Sequence, residues 1–129
     1  MARKKTGDTP ERERNREECA RLLRAMAHPI RLMILEALAD RSQCVKDLNA
    51  LVPIAQSRLS QHMAALRKAE LIDCHTNGPL RCYYVLRPAL IRGLVRLLCE
   101  RHEPLRRSRD VVLREIQRAA KARSDRRHG

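Results

Sequence analysis

Side chains that can contact DNA are concentrated in the segment 53–67. Its apolar residues Leu59, Met63 and Leu66 recur at helical spacing, which predicts one buried stripe along a helix. The other faces carry Gln, Ser, Arg and His, the side chains that reach base edges and phosphates from a helix in the major groove. We interpret this segment as a DNA recognition helix. Because any surface helix has a polar face, the interpretation depends on the elements around it.

Five cysteines are the second group of side chains that could do chemistry. In a cytoplasmic protein they are expected to be reduced thiols, and their spacing matches neither a zinc knuckle nor a paired Cys-x-x-Cys site. We therefore assign no metal site and no cofactor from the spacing. The simpler alternative for each is a small apolar side chain in the core. The candidate sensing thiols are Cys19, Cys44, Cys74, Cys82 and Cys99.

The chain of 129 residues is long enough for one domain with tails. Its formal net charge of +13 and its pI near 10.7 favour a polyanionic partner, nucleic acid before an anionic membrane. Tyr83 and Tyr84 are its only Phe, Trp or Tyr residues, which argues against proteins that stack single-stranded bases. No apolar run approaches the roughly 20 residues of a membrane span and no signal peptide is recognisable, so we expect a cytoplasmic protein without membrane contact.

Two helices are predicted before the recognition segment. Residues 1–16 have almost no apolar side chains, so we expect a disordered basic tail. Apolar residues at i, i+3, i+4 and i+7 spacing predict a first amphipathic helix over 17–27. Pro29 suits the first turn of a second, strongly hydrophobic helix over 29–39. His28 is expected to start this helix and not to bind a metal.

A short helix over 45–51, which Ser42 can cap, precedes the recognition helix, and Pro53 ends it. Two helices joined by so short a turn, the second polar on its outer face, form a helix-turn-helix. The recognition segment is the second helix of that motif, which is the helix that enters the major groove.

Two short apolar-rich strands follow, on either side of Asn77-Gly78. Because Asn-Gly is a strong hairpin signal, they predict a β-hairpin, and Pro79 indicates a turn longer than two residues. A hairpin directly after a helix-turn-helix is a wing. Arg81 lies near its tip, where it can reach a phosphate.

A further helix is predicted over 89–101, and its leucines, isoleucine and valine cover too much of its surface for one small core. The economical explanation is a symmetric dimer in which this last core helix and the first one pack against a second copy. Past Pro104 the chain can form one more helix. The predicted organisation is a basic tail at 1–16, a winged helix-turn-helix domain at 17–99 and a basic helical extension at 100–129.

Three motifs become visible once the elements are in order. They are Ala27-His28-Pro29-Ile30-Arg31-Leu32, Gln56-Ser57-Arg58-Leu59-Ser60-Gln61-His62 with the later Leu66-Arg67, and Tyr83-Tyr84-x-Leu86. Together they resemble the signatures of the ArsR/SmtB family of winged-helix bacterial repressors, over roughly residues 18–99. The resemblance implies a mainly α winged helix-turn-helix fold with a small β-hairpin wing, in a homodimer that binds an imperfect inverted repeat. It also implies release of the DNA when a metal, metalloid or redox signal arrives.

The resemblance extends to individual DNA-binding positions. The residues that match the groove-facing part of the family's recognition helix are Gln56, Ser57, Arg58, Ser60, Gln61 and His62. Among the candidates, base contacts are expected first from Ser57, Ser60 and Gln61, and phosphate contacts from Arg58, Arg67 and Arg81. Ala55 stands where members often have Ser or Thr, so Gln56 or Ser57 would cap the helix and be lost to DNA.

The family's sensing sites are not intact in this chain. Thiolate-sensing members begin the third helix with Cys-Val-Cys-Asp-Leu, and here Cys44 matches the first cysteine while Lys46 replaces the second. The zinc members' ligand pattern is also absent, since residues 87–99 contain no Asp, Glu or His. Arsenite or another soft metal or metalloid bound by cysteines is the open cofactor alternative.

Two other cysteine pairs are open. Cys74 and Cys82 would lie directly opposite one another on the wing if the turn has three residues. Cys19 and Cys99 would approach each other if the first and last core helices pack antiparallel, as a redox pair or, with Cys44, as a three-thiolate site.

We therefore predict a homodimeric DNA-binding transcriptional repressor, released from an inverted-repeat operator by a thiol-reactive, metalloid or redox signal. No combination of residues suggests an enzyme. One alternative is a basic RNA-binding or general nucleic-acid-binding protein without a sensed ligand, in which the tails do the binding. Another is a module that pairs with a second regulator.

Overall fold

The structure is a computed structural model that describes residues 9–128. The chain divides into two compact units, Met1–Cys99 and Glu100–Gly129. The first unit is mainly helical with a small antiparallel sheet, as predicted. Its elements are α1 (Pro10–Met26), α2 (Pro29–Asp40), β1 (Gln43–Cys44), α3 (Val45–Leu51), α4 (Gln56–Lys68), β2 (Ile72–Asn77), β3 (Leu80–Val85) and α5 (Pro88–Cys99). The described part of the second unit contains α6 (Arg109–His128).

Helix α1 begins at Pro10, so the prediction of a disordered tail is wrong for the part of 1–16 that the structure describes. The Thr9 hydroxyl accepts a hydrogen bond from the backbone N–H of Arg12 (3.2 Å), and proline occupies the first turn. The apolar periodicity of the sequence does not mark the start of α1, because the mostly exposed, charged side chains before residue 17 form no apolar stripe. The prediction for residues 1–8 lies outside the described residues.

The core of the first unit is built around α2 and α4. The predicted stripe of α4 is fully buried, since Leu59 and Leu66 are 0% exposed and Met63 is 2% exposed. Burial of each such side chain stabilises the fold by about 1.5–3 kcal/mol, so the inner face of α4 is firmly fixed. The other fully buried large side chains are Ile34, Leu35, Leu48, Val52, Leu71, Ile72 and Ile91.

The sheet contains a strand that the sequence did not predict. Its order is β1-β3-β2, all antiparallel, and β1 is only Gln43–Cys44. Two residues are too few to show strand alternation, so the sequence pattern does not mark this strand. Helix α3 follows this strand directly, with Cys44 at its N-cap and no side-chain capping bond. The predicted cap at Ser42 is therefore wrong, although the bounds of α3 are as predicted.

The hairpin turn is tighter than predicted. Asn77 pairs with Leu80, so only Gly78 and Pro79 form the turn, and Gly78 has φ +61°. Glycine with positive φ at the first central position is expected of a type II′ turn, and proline's fixed φ suits the second. Pro79 therefore did not require the longer turn.

This turn sets the register of the wing. Cys74 pairs with Tyr83, and Cys82 pairs with His75. Adjacent residues of a strand point to opposite faces, so Cys74 and Cys82 lie on different faces of the sheet. The predicted Cys74–Cys82 pair is wrong.

Helix α6 of the second unit is exposed along its length within the described residues. Ser108 caps it through a bond from the backbone N–H of Val111 (3.3 Å), and an ion pair joins Arg107 to Glu115. The helix predicted past Pro104 is thus present. Across the described residues, no helix combines the length and apolarity needed to cross a membrane.

Candidate nucleic-acid interface

Helix α4 presents its polar face to solvent. The stripe of Leu59, Met63 and Leu66 faces the core, which leaves the intervening positions outward. The predicted contact residues that are exposed on this helix are Gln56, Ser57, Arg58, Ser60, Gln61 and Arg67. The structure therefore places these predicted residues together on one accessible helix.

The first turn of α4 has no side-chain cap. Ala55 is the N-cap residue, and its carbonyl accepts the helical bond from the N–H of Leu59 (3.0 Å). Gln56 and Ser57 lie inside the helix and make no capping bond. Neither residue is diverted from the outer face, and the uncapped N–H groups leave partial positive charge at this end, which favours an anion such as phosphate.

His62 is held differently from the other predicted contact residues. It is half-buried, and its Nδ1 accepts a hydrogen bond from Nε of Arg31 on α2 (3.2 Å). Arginine is always a donor, so Nδ1 is unprotonated and the neutral ring carries its proton on Nε2. Burial, followed by the nearby charges of His28, Arg31 and Arg58, lowers the pKa of His62 below its ordinary value of 6.5. The ring therefore joins α4 to α2 in a neutral form.

Arg31 connects three helices. Besides its bond to His62, its Nη1 donates to the carbonyl oxygen of Ala25 near the end of α1 (3.0 Å). His28 caps α2 as predicted, because its Nδ1 accepts from the N–H of Ile30 (3.0 Å), and its ring centre lies 4.4 Å from that of His62. In the sequence, Arg31 stands out only as part of a family motif. No periodicity or spacing signals that it positions α4.

The end of α4 is closed by a backbone motif that sets the path into the wing. The N–H of Leu71 donates to the carbonyl of Leu66 (3.0 Å), and that of Glu70 donates to Arg67 (2.9 Å). These two bonds form a Schellman motif, in which the residue after the cap has positive φ. Glu70 takes that role with φ 59°. Two guanidinium groups also donate to backbone carbonyls at this end of α4: Arg21 to Ala69 O (3.1 Å) and Arg87 to Glu70 O (3.0 Å).

The predicted phosphate contacts lie on two elements. Arg67, in the last turn of α4, forms an ion pair with Asp73 on β2 (3.3 Å), with both side chains more than 40% exposed. A pair so exposed contributes at most about 1 kcal/mol, so phosphate can compete for this guanidinium. Arg81 is exposed on β3, opposite Thr76 and beside the turn.

The cysteines form one pair that the sequence did not predict. Antiparallel pairing of β1 with β3 sets Cys44 opposite Cys82, and their sulfur atoms are 3.2 Å apart. The hydrogen bond with Cys82, followed by burial and by the charge of Asp47, raises the pKa of the Cys44 thiol. Both thiols are half-buried at a cavity of about 190 Å³.

The remaining cysteines are separate from this pair. Cys19 is exposed on α1, and the hydrogen-bonding partner of the Cys99 thiol is the carboxylate of Glu36 (3.5 Å), which raises the pKa of Cys99. The predicted approach of Cys19 to Cys99 is not seen within one chain. Among residues 9–128, no group of three or more His, Cys, Asp or Glu residues is arranged to hold a metal ion.

Comparisons with known proteins match the winged-helix part of the chain. The family model described as bacterial regulatory protein, arsR family, matches residues 28–73. The transcriptional activator HlyU of Vibrio cholerae is 34% identical over 88 residues, which are 68% of this chain and 81% of that protein. A solved structure of Vibrio cholerae HlyU superposes with a TM-score of 0.64 at 35% identity, covering 68% of this chain and 99% of that chain.

Two further matches differ from HlyU in what their names state. The biofilm growth-associated repressor of Agrobacterium fabrum is 33% identical over 99 residues, 74% of this chain and 85% of that protein. The homodimeric winged helix-turn-helix domain of Mb0332 from Mycobacterium bovis has a TM-score of 0.62 and covers 76% of this chain and 98% of that chain. At 21% identity, the last match shows a common fold alone.

Proposed function

Because this chain belongs to the arsR family of bacterial regulatory proteins, whose members are DNA-binding transcriptional regulators and not enzymes, we propose that it is a homodimeric repressor of an inverted-repeat operator. The observation that carries the proposal is the outer face of α4, where exposed polar side chains cover a helix whose other face is fully buried. We place the protein in the cytoplasm, where its DNA partner is found.

In the proposed complex, α4 lies in the major groove and the wing follows the backbone. Ser57, Ser60 and Gln61 contact base edges, while the guanidinium groups of the three phosphate candidates Arg58, Arg67 and Arg81 fix the register. Gln56, at the uncapped start of the helix, lies next to a phosphate. His62 contributes chiefly through the hydrogen bond from Arg31, which fixes the helix on α2.

A second copy of the chain is the proposed occupant of the apolar surfaces of α1 and α5. Leu23 on α1 and Leu97 and Leu98 on α5 are each more than 50% exposed. Exposed aliphatic side chains on the first and last helices of the domain are the feature that a symmetric dimer would cover. Mb0332, which shares the fold, is described as homodimeric, and the choice of α1 and α5 as the interface rests on their exposed side chains.

Repression follows from occupancy, because a dimer bound across a promoter blocks polymerase without further contacts. One similar protein is named an activator and another a repressor, so the direction of control is our proposal for this chain. We further propose that a thiol-reactive, metalloid or redox signal releases the DNA through the cysteines. The Cys44–Cys82 contact supports this step.

Fluorescence anisotropy tests the proposal, with the full chain and duplexes that tile its own promoter region. We expect one duplex to bind far more tightly than the rest, and Gln61→Ala to weaken only that complex, by about tenfold, for a lost base contact of 1–3 kcal/mol. Gln117→Ala, an exposed glutamine on α6, is the matched control and should leave the affinity unchanged. Equal affinity for all duplexes would contradict the operator proposal.

A second candidate function is general nucleic-acid binding, which the exposed arginine-rich α6 and the net charge of +13 favour. Counterion release makes such binding fall steeply with salt at every sequence. It would be supported if removal of residues 109–129 abolished binding while Gln61→Ala had no effect. The operator proposal predicts instead that the chain without residues 109–129 still binds and that Gln61→Ala weakens binding.

A further inference from the structure

We propose that Cys44 and Cys82 form a chelating site for trivalent arsenical compounds, located between the first helix of the helix-turn-helix and the wing. The two residues are 38 positions apart in sequence and meet only because β1 pairs with β3. The inference deepens the proposed function, on which it rests, by naming the site at which a thiol-reactive signal acts.

The sheet brings the two sulfur atoms together without any distortion of the backbone. Residues directly opposite in an antiparallel pair have Cα atoms about 4.5–5.5 Å apart, so their side chains converge on the same face. Gln43 anchors the short strand: it is 8% exposed, and its amide donates to the carbonyl of Ala37 (2.9 Å). The dithiol is therefore held in place by the pairing of β1 with β3 and by the hydrogen bond from Gln43 to α2.

The separation of the sulfur atoms selects among thiophilic ions. An atom about 2.3 Å from each sulfur, a typical metal–thiolate length, would see two sulfurs 3.2 Å apart at an angle of about 90°. Tetrahedral zinc needs a wider angle and four ligands, and the residues that the structure describes offer no group of three. Trivalent arsenic bonds pyramidally with narrow angles and prefers sulfur, so two thiols suffice.

The site is open to a small ligand. Cys44 and Cys82 are both half-buried, and they border a cavity of about 190 Å³ whose wall also includes Arg41, Ser42 and Asp47. His75 lies opposite Cys82 on the far strand of the sheet. An arsenical can therefore reach both sulfur atoms from solvent without unfolding the wing.

The chemistry is a condensation without electron transfer. An aryl arsenic oxide exchanges its As–O bonds for two As–S bonds, and the two thiol protons leave with the oxygen as water. No oxidant or reductant is consumed. Because the thiols already lie side by side, the second bond forms within the same molecule at a high effective concentration.

Loading the site would change the DNA-binding surface. Cys44 is the N-cap residue of α3, and Cys82 follows Arg81 on the wing strand. A covalent bridge between them locks the wing strand to the start of α3, so the strand that carries Arg81 can no longer adjust to the phosphate backbone. We expect operator affinity to fall by at least tenfold.

The test uses phenylarsine oxide with the reduced full-length protein. Intact-mass analysis should show one phenylarsenic group per chain and the loss of two of the five reactive thiols, reversed by a dithiol and not by a monothiol. Cys44→Ser and Cys82→Ser should each abolish this stable adduct. Cys74→Ser is the matched control, since Cys74 lies on the same hairpin but on the other face, and it should bind arsenic as the wild type does.

Differential alkylation of the wild-type adduct locates the protected thiols even if a serine variant fails to fold. Protection of Cys44 and Cys82 supports the site, and protection of any other pair overturns it. Operator binding separates the two proposals. If the Cys44–Cys82 adduct forms and the operator affinity is unchanged, the site is supported and the release step is refuted. If the DNA is released while these two thiols stay unprotected, the release step is supported and the site is refuted.

Discussion

Replacement of Arg31 tests whether recognition depends on the hydrogen bonds behind α4. Arg31→Met keeps much of the side chain's length and removes its bonds to His62 and Ala25. At about 1 kcal/mol for each bond, we expect the free energy of unfolding to fall by about 2 kcal/mol. Urea denaturation measures this, with a midpoint about 1 M lower for an m-value near 2 kcal/mol/M. Because the stability of the proposed dimer depends on protein concentration, all variants are compared at one concentration.

A double-mutant cycle with His62→Leu isolates the bond between the two side chains. The coupling energy between Arg31→Met and His62→Leu should be about 1 kcal/mol, because only their shared hydrogen bond is lost in both variants. Operator affinity should fall in each single variant, since α4 is then held less firmly. Arg24→Met, an exposed position on α1, is the control. A coupling energy of zero would refute the positioning role of Arg31.

Three further predictions follow from other parts of the fold. Folding lowers the pKa of His62, so the neutral ring stabilises the folded state fully above about pH 6.5, and this stabilisation is lost as the pH falls through the lowered pKa. The urea midpoint of the wild type should therefore decrease in acid, and that of His62→Gln should decrease less. Glu70→Gly should raise the free energy of unfolding by about 1 kcal/mol, because positive φ costs a residue with a Cβ that much, while Glu70→Ala should not. Leu98→Glu should produce a monomer in sedimentation equilibrium, whereas Leu105→Glu, outside the predicted dimer surface, should not.

The helices were predictable because the residues that define each helix lie close together in the sequence. The apolar stripe of Leu59, Met63 and Leu66 marks α4, and Pro29 after the capping His28 marks the start of α2. Each signal lies within one or two helical turns, so chain order alone reveals it. The early start of α1 was missed, since its signal is a single capping Thr9 before charged residues and not an apolar pattern.

The contacts that hold the site were not predictable, because they join residues distant in sequence. Arg31 and His62 meet only after α2 packs on α4, and the Schellman corner at Glu70 lacks the glycine that usually announces it. The thiol pair depends on a two-residue strand and on a turn that is one residue shorter than expected. A change of one residue in register exchanges the faces of a strand, so the error in the turn alone was enough to choose the wrong partner for Cys82.

The location of the proposed thiol site also determines how a signal would reach the DNA. In the thiolate-sensing pattern that Cys44 partly matches, both cysteines belong to the third helix. Here Lys46 replaces the second cysteine of that arrangement, and the second thiol is supplied by Cys82 on the wing strand next to Arg81. A ligand held between Cys44 and Cys82 acts directly on the junction of α3 and the wing, both of which border the proposed groove-binding surface. The coupling is therefore expected within one subunit. Fluorescence anisotropy should show that phenylarsine oxide weakens the binding of a Leu98→Glu monomer to a single operator half-site, and an unchanged half-site affinity would contradict it.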